Sequence, residues 1–391
     1  MRIVVINTAA SVSGAMTVLK DFYNYVKEND KENEWIFLVS DKYIEDSDNI
    51  KVVLCPQFKK NWIARLKFEL LVGGKFVESF KPDLIFSMQN TLPKYIHTKS
   101  AMYVHNPMVF QNAKKFSPFR KEERVYAIYQ YLIGNMILSS IRKTDVVIVQ
   151  TKWMENSVSK KAHISTDKIR RIMPDVNDFS NYHVDAGSFL QNDENGKTIK
   201  FYFPAQDIIY KNHAAIIAAC MILRKKGISN FEVTFTPAEE DVVKRLSKTM
   251  FYTLNVSDKY KCLLEDENAL NELFDNNIKC LGKFSHEKVM ETFCRSALIF
   301  PSYIETFGYP LIEARQVRTF ELVSDTDFSH ELLDDYKNAY FFDPFRPEEL
   351  CDLMEKVIKG ELSLNKDDEE YSLRTIESNW KKVVKEITNV V

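Results

Sequence analysis

Glycine is scarce in this chain: 10 among 391 residues, where an average protein carries about 7%. That excludes collagen-like and glycine-rich linker designs, and it leaves few positions where the backbone can take positive φ or approach a phosphate closely. The six cysteines, Cys55, Cys220, Cys262, Cys280, Cys294 and Cys351, form no C-x-x-C pair and no metal-like pairing with histidine. A disulfide framework is therefore not expected, and a reducing cytoplasm suits the chain. The net charge of −2 argues against nucleic-acid binding by bulk electrostatics. No window holds about eighteen apolar residues, so no membrane-spanning helix is expected. The start, Met1 to Ile6, reads as a core strand rather than a secretory signal, because Asn7 and Thr8 cut the apolar run short.

What is present is an ordinary globular mixture, 45% apolar and 28% charged. The length suggests two domains of under about 200 residues each. Residues 1–173 alternate short β-rich runs (Arg2 to Ile6, Trp35 to Val39, Val52 to Leu54, Leu84 to Ser87, Ala101 to Val104, Val146 to Gln150) with amphipathic helices, notably Ala15 to Glu28 and Arg65 to Phe80. This pattern predicts an α/β, doubly wound parallel sheet, whose ligands lie beyond the carboxyl ends of the strands. Residues 174–198, rich in Asp, Asn, Ser and Gly, read as a linker. From Ile199 to residue 370 the alternation resumes.

The most informative stretch is Ala297 to Asp325. Ala297 to Phe300 reads as a buried strand closed by Pro301, Tyr309 to Arg318 as a helix, and Thr319 to Val323 as the next strand. Pro310 falls in the first helical turn, where a missing N–H is harmless. The loop before it, with N–H groups at Phe307, Gly308 and Tyr309 and the positive end of the helix dipole, suits phosphate. Glu305 and Glu313 bracket this loop. A carboxylate beside an anion site repels phosphate, so its use there is to accept hydrogen bonds from sugar hydroxyls. A nucleoside diphosphate sugar presents such hydroxyls on both sides of its phosphates.

The run Glu305-Thr306-Phe307-Gly308-Tyr309-Pro310-Leu311-Ile312-Glu313-Ala314 resembles the Glu-x7-Glu element of the retaining GT-B glycosyltransferases of family four. The resemblance implies a GT-B fold, two Rossmann-like domains facing a central cleft, with a C-terminal helix, 371–391, crossing back to the first. It implies that Glu305 contacts the donor sugar. Thr306, Phe307, Gly308, Tyr309 and Leu311 hold the diphosphate, and Glu313 binds the ribose. His105, ending a strand in Tyr103-Val104-His105-Asn106-Pro107, matches a family histidine near the reaction centre, expected to orient or stabilise rather than take a proton. Ser11, Ser13 and Gly14 match the acceptor-side loop. Pro204 to His213 resembles the Gly-Arg-x4-Lys phosphate clamp. Lys211 matches it, but Gln206 replaces the arginine, and Arg315 or Arg318 are candidates for the missing cation. Gly282 to His286 resembles the turn lining the base pocket. Arg315 to Thr319 departs from the family's small residues.

The implied reaction is transfer, with retention, of a hexose or N-acetylhexosamine from a nucleotide diphosphate sugar, UDP-linked by preference, to a glycan acceptor on a polyprenyl diphosphate, in O-antigen or other surface-polysaccharide synthesis. No Asp-x-Asp metal box is read in the sequence, so neither metal nor cofactor is expected. Two basic, aromatic-bearing stretches, Lys59 to Lys81 and Ala113 to Arg124, suggest peripheral contact with the anionic inner face of the cytoplasmic membrane. The rival readings are a nucleotide-sugar-binding subunit that has lost catalysis, which Gln206 favours, and third a UDP-sugar epimerase.

Overall fold

The structure is a computed structural model that describes every residue except 10–13, 180, 183, 185–189, 194–195, 244–252, 283, 366–374 and 376. The chain divides into two units, Met1–Asp175 with Thr375–Val391, and Val176–Arg374.

The first unit is built on seven parallel strands: β1 (Arg2–Asn7), β2 (Glu34–Val39), β3 (Ile50–Leu54), β4 (Leu84–Ser87), β5 (Ser100–Tyr103), β6 (Val146–Val149) and β7 (Ile169–Arg171). Their order is β3-β2-β1-β4-β5-β6-β7. Ile3 to Ile6 and Val147 to Val149 are wholly buried, as near-continuous apolar runs in a two-sided parallel sheet must be. Helix α1 (Gly14–Asn29) buries Leu19, Phe22, Tyr23 and Val26, one stripe at helical spacing. Phe22 sits at the centre of this core, its ring 5.1–6.1 Å from those of Trp35, Phe37, Phe86 and Trp380.

Trp380 comes from the far end of the chain. The C-terminal helix Trp380–Thr388 buries Trp380, Val383 and Ile387 against this unit. It is tied down by Asn379 N–H to Asp175 (2.6 Å) and by Arg170 to Glu386 (2.7 Å). The expected C-terminal helix, 371–391, is shorter at its start, since residues 377–379 lie outside it; 371–374 and 376 are outside the described residues. The Arg65 to Phe80 helix is also broken differently. A π-helical turn, Phe68–Val72, separates Trp62–Lys67 from Gly73–Glu78. The following glycines let backbone approach: a Cβ on Gly74 would lie 2.0 Å from the Lys94 carbonyl oxygen.

The second unit carries β8 (Leu190–Asp193), β9 (Gly196–Phe203), β10 (Phe231–Phe235), β11 (Ile278–Cys280), β12 (Ala297–Phe300), β13 (Glu321–Ser324) and β14 (Ala339–Phe342). The order is β11-β10-β9-β12-β13-β14, all parallel, with β8 antiparallel to β9. Here the linker expectation is corrected. Residues from Val176 belong to the second unit, and β8 pairs with β9 so that Asp193 faces Gly196.

In each unit the strand order reverses once, between β1 and β4 in the first and between β9 and β12 in the second. Loops leaving paired strands in opposite directions open a crevice there, the usual ligand position in such sheets.

Candidate functional site

The β9–β12 switch point holds the densest set of charged side chains among the residues singled out by sequence. After β9 the chain runs through Gln206 and a short turn, Ile209–Lys211, into helix α2 (His213–Lys225). Asn212, in the left-handed region at φ 63°, makes that corner, and its buried amide donates to the carbonyls of Pro301 (3.3 Å) and Pro344 (2.7 Å). After β12 the Ser302-Tyr303 segment is fixed by Tyr303 N–H to the Tyr210 carbonyl, 3.1 Å. The two loops are thereby stitched together. Lys211 Nζ meets Glu305 Oε1 in an ion pair, and Ser302 Oγ donates to the same oxygen at 2.6 Å. Both charged side chains are more than four-fifths buried, so their mutual attraction is little screened.

Beyond Glu305 the chain turns at Gly308, φ 91°, which opens helix α4 (Tyr309–Gln316). A Cβ there would press 3.2 Å from Leu311, so this scarce glycine is required twice over, by conformation and by space. Phe307 and Leu311 are buried, while Tyr309 is exposed and Thr306 half-buried at the mouth. Glu313, one turn into α4, accepts from His286 Nε2 at 2.9 Å. His286 is the first residue of helix α3 (His286–Phe293). The hydrogen bond to Glu313 raises its pKa. Tyr202, buried at the end of β9, stacks near Phe284 with centroids 6.0 Å apart, and burial reinforced by Glu313 pushes its hydroxyl pKa up. This half of the site thus offers a carboxylate beside an aromatic wall, and the other half a lysine and a carboxylate beside a helix start.

Residues 188–375 match the family model for glycosyl transferases group 1. The chain carries a glycosyltransferase group 1 domain. No curated protein matches its sequence. Among solved structures it resembles the lipopolysaccharide outer core galactosyltransferase WaaB in its apo form, at 14% identity and TM-score 0.59 over 100% of both chains. It also resembles Anabaena HepE in complex with UDP-glucose, at 13% and 0.60 over 100% of this chain and 97% of that one. A glycosyltransferase from Rickettsia africae matches at 13% and 0.63, over 100% and 98%. At these identities the likeness speaks for the fold, which is of GT-B type.

The transferase differs from its expected site plan in the missing cation. Arg315 is no phosphate clamp. It is buried, its guanidinium forks onto Asp335 at 2.7 and 2.9 Å, and it donates to the Leu332 carbonyl at 2.6 Å. Arg318 follows the carboxyl end of α4, the end remote from the loop. Gln206 is exposed, on the loop after β9. The Arg315–Thr319 run that departs from the family is instead used for packing. Gln316 clamps the segment that opens the unit, accepting from Phe179 N–H at 2.7 Å and donating to the Asn177 carbonyl at 3.0 Å. Two Asp-x-Asp triplets do occur, at 46–48 and 325–327; in the second, Asp325 pairs with His330 at 2.9 Å.

In the first unit, His105 follows β5. Its backbone N–H and that of Asn106 donate to Asn90 Oδ1 at 2.7 and 3.0 Å, and Asn90 Nδ2 lies 3.4 Å from His105 Nε2. An amide nitrogen can only donate, so Nε2 accepts and the ring is neutral. Burial lowers its pKa to about 4. This supports an orienting role over proton abstraction at neutral pH. Ser11 and Ser13 lie outside the described residues. Gly14 begins α1, and the loop's other end is anchored where Thr8 donates, from N–H (3.1 Å) and Oγ1 (2.9 Å), to Gln89. Sequence reasoning missed Asn90, Ser302 and the pairing of His286. Asn90 lies just past the carboxyl end of β4, where such sheets place their ligands; nothing local announced the other two.

Proposed function

We propose that the transferase moves a hexose or N-acetylhexosamine, with retention of configuration, from a nucleotide diphosphate sugar to a glycan acceptor. The observation that carries this reading is the convergence of Lys211, Glu305 and Glu313 on the loop and helix start at the β9–β12 switch point. A diphosphate beside α4 would draw Lys211 from Glu305, freeing that carboxylate for sugar hydroxyls, while Glu313 takes the ribose diol. UDP is the preferred nucleotide; HepE, of like fold, was solved with UDP and UDP-glucose. Leaving-group charge would be met by Lys211 and backbone N–H groups without a metal. His105 and the loop with Ser11, Ser13 and Gly14 would serve the acceptor side.

The acceptor is proposed to be lipid-linked, in surface-polysaccharide synthesis. Ile63 and Phe119 are 78% and 90% exposed, large apolar side chains within basic stretches. Trp62 and Tyr129 touch edge to face at 6.0 Å, bringing the first stretch against the helix that follows the second. Such a surface suits an anionic bilayer. No helix among the described residues is long and apolar enough to cross a membrane. Flotation with phosphatidylcholine vesicles, with and without phosphatidylglycerol, tests this: binding only to anionic vesicles supports it, and binding to neither rules it out.

Product analysis tests the transfer itself. The purified protein, a panel of UDP-, GDP- and CMP-sugars and polyprenyl-diphosphate acceptors should give one α-linked product from an α-linked donor, unaffected by EDTA. Tight nucleotide-sugar binding without turnover would favour the second reading, a non-catalytic subunit, which Gln206 in place of a phosphate-binding arginine supports.

A further inference from the structure

Three observations on the second unit are unexplained by the roles above. His286 sits at the amino end of α3, where the helix dipole disfavours a cation. It nonetheless faces the carboxylate of Glu313, whose side chain is only 14% exposed. And its ring is braced on one side by Phe179, edge-on at 4.9 Å and 62°, a residue that Gln316 holds through its backbone N–H.

We propose that His286 is a positioning residue for nucleotide-ribose recognition: it holds one carboxylate oxygen of Glu313 so that the other is presented to the vicinal diol of the ribose. This rests on the reading of Glu313 as the ribose acceptor. The physical argument is one of rotamer freedom. A glutamate has three side-chain torsions, and fixing such a chain carries one of the larger side-chain entropy costs. A carboxylate already oriented when the nucleotide arrives has met that cost on folding. An exposed ion pair would do little of this, because both partners remain mobile. Here the imidazole, though half-exposed, rests against Phe179 on one side, and the carboxylate is largely covered, growing from a helix whose neighbouring residues Leu311, Ile312 and Ala314 are buried. The divergent Gln316 thus belongs to the same arrangement. Glu313 lies three residues before it on α4, and Gln316 fixes the segment that carries the ring brace. The raised pKa of His286 agrees with a pair formed in the unliganded protein.

The test is calorimetric titration of the full chain with UDP and with 2′,3′-dideoxy-UDP, which keeps base and diphosphate but lacks the diol. GDP and ADP, with their dideoxy forms, are run alongside to fix the base. His286→Ala should weaken the preferred diphosphate by about 5–20-fold and leave its dideoxy analogue within about twofold. His286→Gln, which keeps an N–H donor, should recover most of the loss, and Phe179→Ala should repeat it in weaker form. Equal weakening of both ligands would mean a merely structural role and overturn the inference, as would no change with the diol present. If wild-type protein binds UDP and its dideoxy analogue equally, or Glu313→Ala leaves UDP binding intact, the ribose role of Glu313 falls first and His286 with it. Should none of the three diphosphates bind, the donor site itself is misplaced.

Discussion

Lys211 and Glu305, 94 residues apart in sequence, form an ion pair in which Ser302 also donates to the carboxylate oxygen. The cation expected on a diphosphate and the carboxylate expected on a sugar are therefore each other's partners before any donor arrives. This has a direct consequence for mutants. Glu305→Gln removes the competitor for Lys211, so UDP should bind as well as or better than to wild type while turnover falls about 100-fold or more. Lys211→Met should lose both, because it leaves a partly buried carboxylate facing phosphate. Calorimetry and a nucleotide-release assay read the two effects separately.

Gly308 is one of four glycines with positive φ among the described residues, and the only one of the four whose added Cβ would meet a neighbour within 4 Å. Gly308→Ala should cost about 1–2 kcal/mol from the left-handed conformation, with a further loss as Leu311 is displaced. Melting should shift down by several degrees, and nucleotide affinity should drop in the protein that remains folded. Gly360→Ala, at φ 70° with open space around it, is the control that should lower stability alone.

Glu321 lies in β13 with no exposure, and neither carboxylate oxygen has a hydrogen-bond partner among the described residues. Burial pushes its pKa well above the usual value, with Arg315 pulling the other way. A carboxyl that stays protonated when folded but ionises when unfolded loses stability as pH rises past its unfolded pKa. Glu321→Met should therefore stabilise the protein by about 1–2 kcal/mol near neutral pH. The gain should shrink toward pH 4, where wild type is protonated in both states. Thermal melts across pH 4–8 check the sign.

Trp380 tests whether the returning tail is part of the first core. Its ring lies 5.1 Å from Phe22 and 5.3 Å from Tyr103. Trp380→Ala should destabilise by about 3–5 kcal/mol. UDP affinity, measured below the melting transition, should be unchanged, since the residues proposed to bind the nucleotide all lie in the other unit.

Much of this architecture is legible in the chain because burial writes itself into composition. Strand segments such as Ile3 to Ile6 and Ala297–Phe300, covered on both faces, are apolar throughout, and Gly308 must be glycine because of its φ. The Glu305-to-Glu313 spacing is local too, fixed by one loop and the first turn of the helix that follows it. What stayed hidden depends on tertiary partners. Arg315 looked like a free cation because Asp335, which neutralises it, lies twenty residues on across another helix. His286 and Glu313 are 27 residues apart, with no periodicity connecting them. Residues 190–193 were read as linker because an edge strand one hairpin long needs no apolar face of its own.

The most direct test of the account is nucleotide release from UDP-sugars by the wild-type transferase, Lys211→Ala and Glu313→Ala, each with lipid-linked acceptor and excess EDTA. The account predicts metal-independent release of UDP from one donor by wild type, with both variants at least about 100-fold slower in kcat/KM. Full activity in either variant would contradict the placement of the donor at the β9–β12 switch point.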